Sequence, residues 1–388
     1  MIRTIFHIDV NSAFLSWTAV KMISQGQPDV RLVPAVVSGD PEDRRSIVTA
    51  KSIPAKKFGI NTAEPLSMAL RKCPGLIVVH SDFGWYKECS RGFIAICRKY
   101  SPVLQQFSID ECFLDMTFRL FGRDPVEVAG ELKDEIYRTL GFTVNVGVAH
   151  NKLLAKMASD FEKPDKVHTL WEDEIPSKMW PLPVRDLLWV GKQTEAKLTS
   201  YGINTIGELA KTPETYLARM LGDKFGHQIH LSANGIDDSP VVTEADEPKS
   251  YSNEHTLPKD LTDPEQLDRI LFNLACHVGY RIRRDNFYAR GVSVFVKDKD
   301  FHTVSRQGQM PQPTNVTALI LFAARGLLSQ IWSGGTPIRQ VGLGVFNLSH
   351  ESFYQLSLFE DEKMDYYRKW DEEYDSKQPK GGGRHFSG

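Results

Sequence analysis

Ile5-Phe6-His7-Ile8-Asp9-Val10 and, about a hundred residues later, Phe107-Ser108-Ile109-Asp110-Glu111-Cys112-Phe113-Leu114 are the stretches whose reading decides the fold of this 388-residue chain. The first makes Asp9 the end of an N-terminal β-strand; the second reads as strand, acidic tip, strand. Successive strand residues point to opposite faces, so Asp110 and Glu111 converge on one site only at a bend, and a two-residue hairpin end supplies one. Both then face Asp9. Three carboxylates in an apolar setting repel each other, and hard divalent cations with oxygen ligands, chiefly Mg²⁺, relieve the repulsion. Two such ions roughly 3.5–4 Å apart are the machinery of phosphoryl transfer. Spacing alone also allows two unrelated sets of surface acids at strand ends.

The chain is longer than one hydrophobic core serves, so two to four units are expected. Hydrophobic residues at 41% and charged residues at 25% are ordinary globular values. No apolar run reaches a membrane span, and the apolar N-terminal stretch is broken by His7 and Asp9, unlike a secretory signal. A cytoplasmic protein without a membrane partner is expected. Cys73, Cys89, Cys97, Cys112 and Cys276 are odd in number and form no Cys-x-x-Cys pair, which argues against a disulfide framework and a structural zinc.

A net charge of -2 conceals an uneven distribution. Residues 269–350 carry ten basic side chains against Asp285, Asp298 and Asp300, about +7, while the stretch before them is about -6 and the tail about -3. A concentrated basic face suits a phosphate backbone, although a solvated helix face laced with ion pairs has the same composition.

Periodicity and breakers divide the chain. Residues 11–73 read as helix, strand and a Pro- and Gly-broken stretch inserted after the first strand. Helical spacing covers Pro125–Leu140, residues 142–148 alternate as a strand, and Asn151 caps a helix that Pro164 stops. The order describes a small mixed sheet with helices on one face, an α+β core. Residues 183–235 turn helical in short pieces, with a glycine hairpin between two helices at Gly191 and Gly202. Such a hairpin aims backbone N–H groups at a phosphate, though a plain helix-turn-helix packing unit has the same pattern. A polar linker precedes a β-α-β-β-α-β order: a strand near Tyr251, a helix over Pro264–Arg284, strands at 291–296 and 303–307, a helix over Thr317–Ile331 and a strand at 341–346.

The stretches His7-Ile8-Asp9-Val10-Asn11-Ser12-Ala13-Phe14, Ala50-Lys51-Ser52, Ala55-Lys56-Lys57-Phe58-Gly59-Ile60, Ser108-Ile109-Asp110-Glu111 and Asn151-Lys152-Leu153-Leu154-Ala155-Lys156-Met157-Ala158-Ser159-Asp160 resemble the Y-family translesion DNA polymerases, the bacterial DNA polymerase IV and V branch above all. The resemblance runs in order over about residues 1–350. It implies a right-hand polymerase: a ferredoxin-like palm (1–10 and 74–165), small fingers (11–73), a helical thumb with a helix-hairpin-helix (166–236), a linker (237–248), a little finger (249–350) and a C-terminal tail (351–388).

Carried over position by position, the resemblance makes Asp9, Asp110 and Glu111 the catalytic metal-binding triad for two Mg²⁺ ions, with the Val10 carbonyl as a further ligand. Ser12, Ala13, Phe14, Lys56 and Lys163 become the deoxynucleoside triphosphate site, Phe14 being the steric gate against a 2′-hydroxyl. Many relatives have Thr, Tyr and Arg where this chain has Ala50, Ile53 and Lys56, and Asn11 stands where an acid is frequent, so it is not counted as a ligand. Gly191, Lys192 and Thr194 fall in the thumb hairpin, with Trp189 where a second glycine is usual. Arg290, Lys297 and Arg306 are taken as little-finger contacts to primer-template DNA.

In the acidic and otherwise uncompacted tail, Gln355, Leu356, Leu358 and Phe359 are similar to the peptide by which bacterial polymerases bind the sliding clamp, and residues 381–388 are expected to be disordered. The implied activity is template-directed, low-fidelity translesion synthesis by a monomer with no room for a proofreading domain. Two rivals are a nucleotidyl cyclase, which needs the acids but neither thumb hairpin nor clamp peptide, and a catalytically silent DNA-binding scaffold.

Overall fold

The computed structural model describes residues 3–244, 246–351 and 361–378. Two compact units are formed, Met1–Ala245 and Asp246–Gly388. The first runs β1 (Ile5–Val10), α1 (Ala13–Ser24), β2 (Ala35–Ser38), β3 (Ala50–Lys51), α2 (Ile53–Lys56), α3 (Leu66–Lys72), β4 (Ile77–His80), α4 (Phe83–Tyr100), β5 (Leu104–Gln106), β6 (Glu111–Asp115), α5 (Pro125–Leu140), β7 (Val144–Ala149), α6 (Lys152–Ser159), β8 (Val167–Thr169), α7 (Lys192–Ser200), α8 (Ile206–Lys211), α9 (Glu214–Leu221) and α10 (Asp223–Ala233).

Ile, Phe and Val alternate with His7 and Asp9 along β1, which lies at the centre of a five-stranded sheet of order β5-β6-β1-β7-β8, antiparallel to both neighbours. Phe6, Ile8 and Val10 enter one core with Phe93, Ile96, Leu132 and Ile136 from α4 and α5. Ile5, on the other face, packs with Leu153, Leu154 and Ala158 of α6. Helices therefore cover both faces of this sheet, where the sequence suggested one. Gly147 makes the α6 side possible: a Cβ there would lie 1.9 Å from the Ala155 carbonyl oxygen.

The acidic pair is not at a two-residue hairpin tip. Phe107, Ser108, Ile109 and Asp110 form the connection, and Glu111 is already the first residue of β6. Ser108 is the cause: its Oγ accepts from the Asp110 amide at 3.2 Å and donates to Asp110 Oδ1 at 2.5 Å, while the Phe107 and Ser108 amides both donate to the Glu111 carbonyl. A local side-chain turn replaces the strand that Phe107 and Ile109 suggested. In the inserted stretch, β2 pairs antiparallel with β3 and parallel with β4, so its small sheet runs on to His80, past residue 73.

The second unit runs β9 (Ser250–Leu261), α11 (Pro264–Arg284), β10 (Tyr288–Asp298), β11 (Thr303–Thr314), α12 (Thr317–Ile331), β12 (Ile338–Ser349) and α13 (Asp361–Ser376). Its antiparallel sheet has the order β11-β10-β12-β9. Leu267, Leu271 and Leu274 of α11 and Ile320 and Ala324 of α12 bury Val292, Val294, Val341 and Leu343. Pro311 and Pro313 are tolerated in β11 because it is an edge strand. Helix α13 corrects the reading of the tail as uncompacted. Asp371 accepts from the Thr317 amide at 3.0 Å, capping α12, which has no side-chain cap of its own, and Asp375 takes two hydrogen bonds from Arg283. The acidic run is, on one face, a docking surface. All five cysteines are buried and free.

Candidate active site

Asp9 and Glu111 are direct partners across β1 and β6, so their side chains leave the sheet on the same face, as does His7, two residues before Asp9. Asp110 is tied in by its carbonyl, which accepts from the Val10 amide at 3.0 Å. Burial raises the Asp9 pKa above its ordinary value, Asp110 adds to the effect, and Lys163 works against it from a hydrogen bond to Oδ2. Lys163 also pairs with Asp160 at 2.8 Å; burial opposes its charge, but the two aspartates outweigh burial and raise its pKa. Burial opposes ionisation of Glu111 too, yet hydrogen bonds from His7 and Lys156 lower its pKa to about 2. His7 itself is shifted down, chiefly by burial and against its hydrogen bond with Glu111, and its Nε2 faces Glu111 Oε2 at 3.0 Å.

The three acids do not form a ready metal cage in this conformation. Among the described residues no three His, Cys, Asp or Glu side chains gather so as to hold an ion. Electrostatics supplies the reason: carboxylates this close take internal donors, Asp9 from Lys163, Glu111 from Lys156 and His7, and Asp110 from Ser108. The set still fits hard divalent cations. It consists of oxygen donors at adjoining backbone positions, and two ammonium groups already supply positive charge to two of them.

Ser12, exposed and left-handed at φ 46° and ψ 53°, caps α1 without a side-chain hydrogen bond, and Ala13 and Phe14 open the helix. The Phe14 ring stacks on Tyr86 at 4.8 Å and meets Phe83 edge-on, so two aromatic neighbours fix its position. Asn11 acts as a structural tether: its Nδ2 donates to Asn145 Oδ1 and its Oδ1 accepts from the Asp165 amide. Lys56 is exposed at the end of α2. Ala50 is buried, and Ile53 is 57% exposed. Val10 is buried at the end of β1.

Gly191 caps α7, whose first turn holds Lys192 and Thr194. Trp189 keeps a left-handed φ of 75°, a conformation glycine takes without cost, with its indole 61% exposed. In the second unit the expected contacts do not share one face. Arg306 lies opposite Val294, whose side chain is under the helices, and its Nε donates to Gln330 of α12 at 3.4 Å. Lys297 alternates with Val296 and points to the other face. Arg290 is exposed beside an irregularity in the β10–β11 pairing and lines a cavity of about 530 Å³ with Gln309, Asn347 and Ser349. Gln355, Leu356, Leu358 and Phe359, and residues 381–388, lie outside the described residues. Sequence reasoning missed His7, Lys156 and Asn145 as site neighbours; the two-residue offset of His7 from Asp9 was the available signal.

Comparison with known proteins gives the same picture over most of the chain. Residues 8–160 match the impB/mucB/samB family, residues 248–358 that family's C-terminal domain, and residues 185–237 the DNA polymerase-iota thumb domain. DNA polymerase IV of Clostridium acetobutylicum is 44% identical over 369 residues, covering 94% of this chain and 92% of that protein. DNA polymerase IV 1 of Bacillus subtilis is 36% identical over 360 residues, covering 92% of this chain and 85% of that protein. A solved Y-family DNA polymerase chimera of Dbh and Dpo4 superposes with a TM-score of 0.77 at 21% identity, covering 90% of this chain and all of that one, which speaks for the fold. Fold and relatives define a DNA-directed DNA polymerase. The chain belongs to the Y family of translesion polymerases, and within it to the bacterial DNA polymerase IV type.

Proposed function

We propose that Asp9, Asp110 and Glu111, with the Val10 carbonyl, hold a pair of Mg²⁺ ions at which deoxynucleotides are added to a primer 3′ end. The observation that carries this reading is the register that sets Asp9 against Glu111, with Asp110 hydrogen-bonded to Val10 through the backbone. When bound, such ions supply Lewis acidity to the primer hydroxyl and neutralise the pyrophosphate that leaves. Lys163 then exchanges its Asp9 and Asp160 partners for triphosphate oxygens, and Lys56 reaches the same group from α2. Backbone N–H groups of Ser12, Ala13 and Phe14 open toward the nucleotide, and the Phe14 ring, backed by Tyr86, excludes a 2′-hydroxyl by overlap.

On this reading residues 1–10 and 74–165 serve as palm, 11–73 as fingers, 166–236 as thumb, 237–248 as linker and 249–350 as little finger. Gly191, Lys192 and Thr194 meet a backbone phosphate of the primer-template, and Arg290 and Lys297 track others; Arg306, turned to α12, is the weakest member of that set. Gln355, Leu356, Leu358 and Phe359 engage a sliding clamp, which raises the local concentration of a monomeric cytoplasmic enzyme at primer ends. Among the described residues no helix is long and apolar enough to cross a membrane.

Primer extension by Asp9→Ala, alongside DNA binding of the same variant, tests the reading. Extension should vanish while binding stays within a few-fold of the parent; a variant that still extends removes Asp9 from the site.

A further inference from the structure

We infer that His7 is a positioning residue for Glu111, holding that carboxylate toward the metal side of the sheet through a polar relay from Ser159 of α6. The inference rests on the proposed metal site and adds a residue to it.

His7 is fully buried, yet both ring nitrogens are engaged. Nε2 lies 3.0 Å from Glu111 Oε2, and Nδ1 lies 2.8 Å from Ser159 Oγ, which is itself 2.8 Å from the Lys156 carbonyl. The ring is packed against Phe113 with centroids 4.6 Å apart. Rotating the imidazole out of this slot breaks both hydrogen bonds and strands buried polar atoms. The slot is narrow because Gly147, the register partner of His7, lets α6 approach: a Cβ at 147 would also come within 2.6 Å of the Ser159 amide nitrogen.

The effect falls on one oxygen. His7 and Lys156 both bond Oε2 of Glu111, Lys156 at 2.5 Å, and neither bonds Oε1. Lys156 reaches Oε2 on a four-carbon stem, over the Phe107 ring, and keeps more rotatable bonds than an imidazole does. His7 has no such freedom, since its position is fixed by β1, Phe113 and Ser159. The rigid donor therefore sets the carboxylate plane, as an outer hydrogen-bond partner of a metal ligand does. A merely structural histidine would stabilise the sheet–α6 contact without affecting what Glu111 binds.

Mn²⁺ binding to the full-length protein, followed by the electron paramagnetic resonance signal of the free ion, separates these roles without relying on activity. The set comprises the parent, His7→Leu, His7→Gln, Ser159→Ala and Asp9→Asn. His7→Leu should weaken Mn²⁺ binding about tenfold or more and shift the Mg²⁺ concentration for half-maximal extension by a similar factor. His7→Gln, which keeps an N–H donor near the Nε2 position, should recover most of the loss. Ser159→Ala, a small change that frees Nδ1, should weaken binding several-fold and serves if His7→Leu does not fold. Folded His7→Leu or Ser159→Ala protein with parental Mn²⁺ affinity would overturn the role of His7 while leaving the metal site standing. If Asp9→Asn binds Mn²⁺ as the parent does, the metal-site reading itself fails, and the inference with it.

Discussion

Asn11 donates from Nδ2 to Oδ1 of Asn145 at 3.1 Å, and the pair ties the end of β1 to the loop that presents Lys163. Asn145, wholly buried in β7, donates to the Ser159 and Glu162 carbonyls and accepts from the Lys166 amide at 3.3 Å, while Asn11 accepts from Asp165. The loop on either side of Lys163 is thus held by two asparagines. Asn11 therefore serves as a tether rather than as a ligand of the acid site.

Asn145→Ala should therefore act on nucleotide binding more than on the chemical step. Releasing the loop frees the backbone on either side of Lys163, so the ammonium is no longer held where it meets the triphosphate, and KM for the incoming nucleotide should rise about tenfold or more with kcat changed by less than a few-fold. Steady-state extension over a nucleotide series gives the split. An equal fall in kcat with unchanged KM would place the loop elsewhere in the cycle.

Asp9→Asn should lose extension yet unfold at a higher temperature than the parent in the absence of divalent ions. The Asp9 pKa is raised by burial, so ionising it costs stability. The cost is absent below the ordinary carboxylate range and sets in as pH rises through it toward the raised value. Removing the charge removes the cost, and Lys163 keeps Asp160. Glu111 carries the opposite sign: with a pKa of about 2 it stabilises the fold above the ordinary range, and that contribution is lost as pH falls through about 2. Thermal melts of parent, Asp9→Asn and Glu111→Gln across acid to neutral pH should show the two variants moving in opposite directions. A lower melting temperature for Asp9→Asn at neutral pH would contradict the account.

Phe14→Ala should raise ribonucleotide incorporation by a factor of about a hundred, and Tyr86→Ala by a smaller factor, because Tyr86 only supports the ring. Tyr86 is also fixed by its hydroxyl, 2.8 Å from Thr18 Oγ1, which donates to the Phe14 carbonyl. Competition between ribo- and deoxynucleotides at one template position measures both; unchanged selectivity in Phe14→Ala would make Phe14 a packing residue only.

What the sequence disclosed, and what it withheld, follows from the range of the interactions. Helices α5 and α11 are legible to the residue because Asp124-Pro125 and Asp263-Pro264 pair a capping carboxylate with a proline that starts a helix. Asn151 caps α6 by accepting from Leu154, as its place in the sequence implies. That Asp9, Asp110 and Glu111 come near one another was likewise legible, but which internal donors each acid takes was not, since His7, Lys156 and Lys163 meet the acids only through the pairing of β1 with β6 and β7. Lys297 and Arg306 look equivalent in sequence; strand register sends them to opposite faces. Helix α13 was hidden because the residues that dock it, Asp371, Asp375 and Trp370, find their partners Thr317, Arg283 and Phe272 far back in the chain.

That docking makes the last prediction. Asp371 is buried, with burial raising its pKa against the Thr317 hydrogen bond and Arg283, whose Nη1 is 3.2 Å from Oδ1. Its worth lies in the cap on α12, since Arg283 is held by two further hydrogen bonds to Asp375. Asp371→Ala should cost about 1–2 kcal/mol, the usual value of a lost helix cap. Asp371→Asn should cost distinctly less, because the amide oxygen still accepts from Thr317 while the buried charge is gone. Hydrogen exchange at the first turn of α12 and along α13 should quicken in Asp371→Ala and stay near the parent in Asp371→Asn. If the two variants exchange alike, the charge rather than the cap holds α13, and Arg283 becomes the residue on which the helix depends.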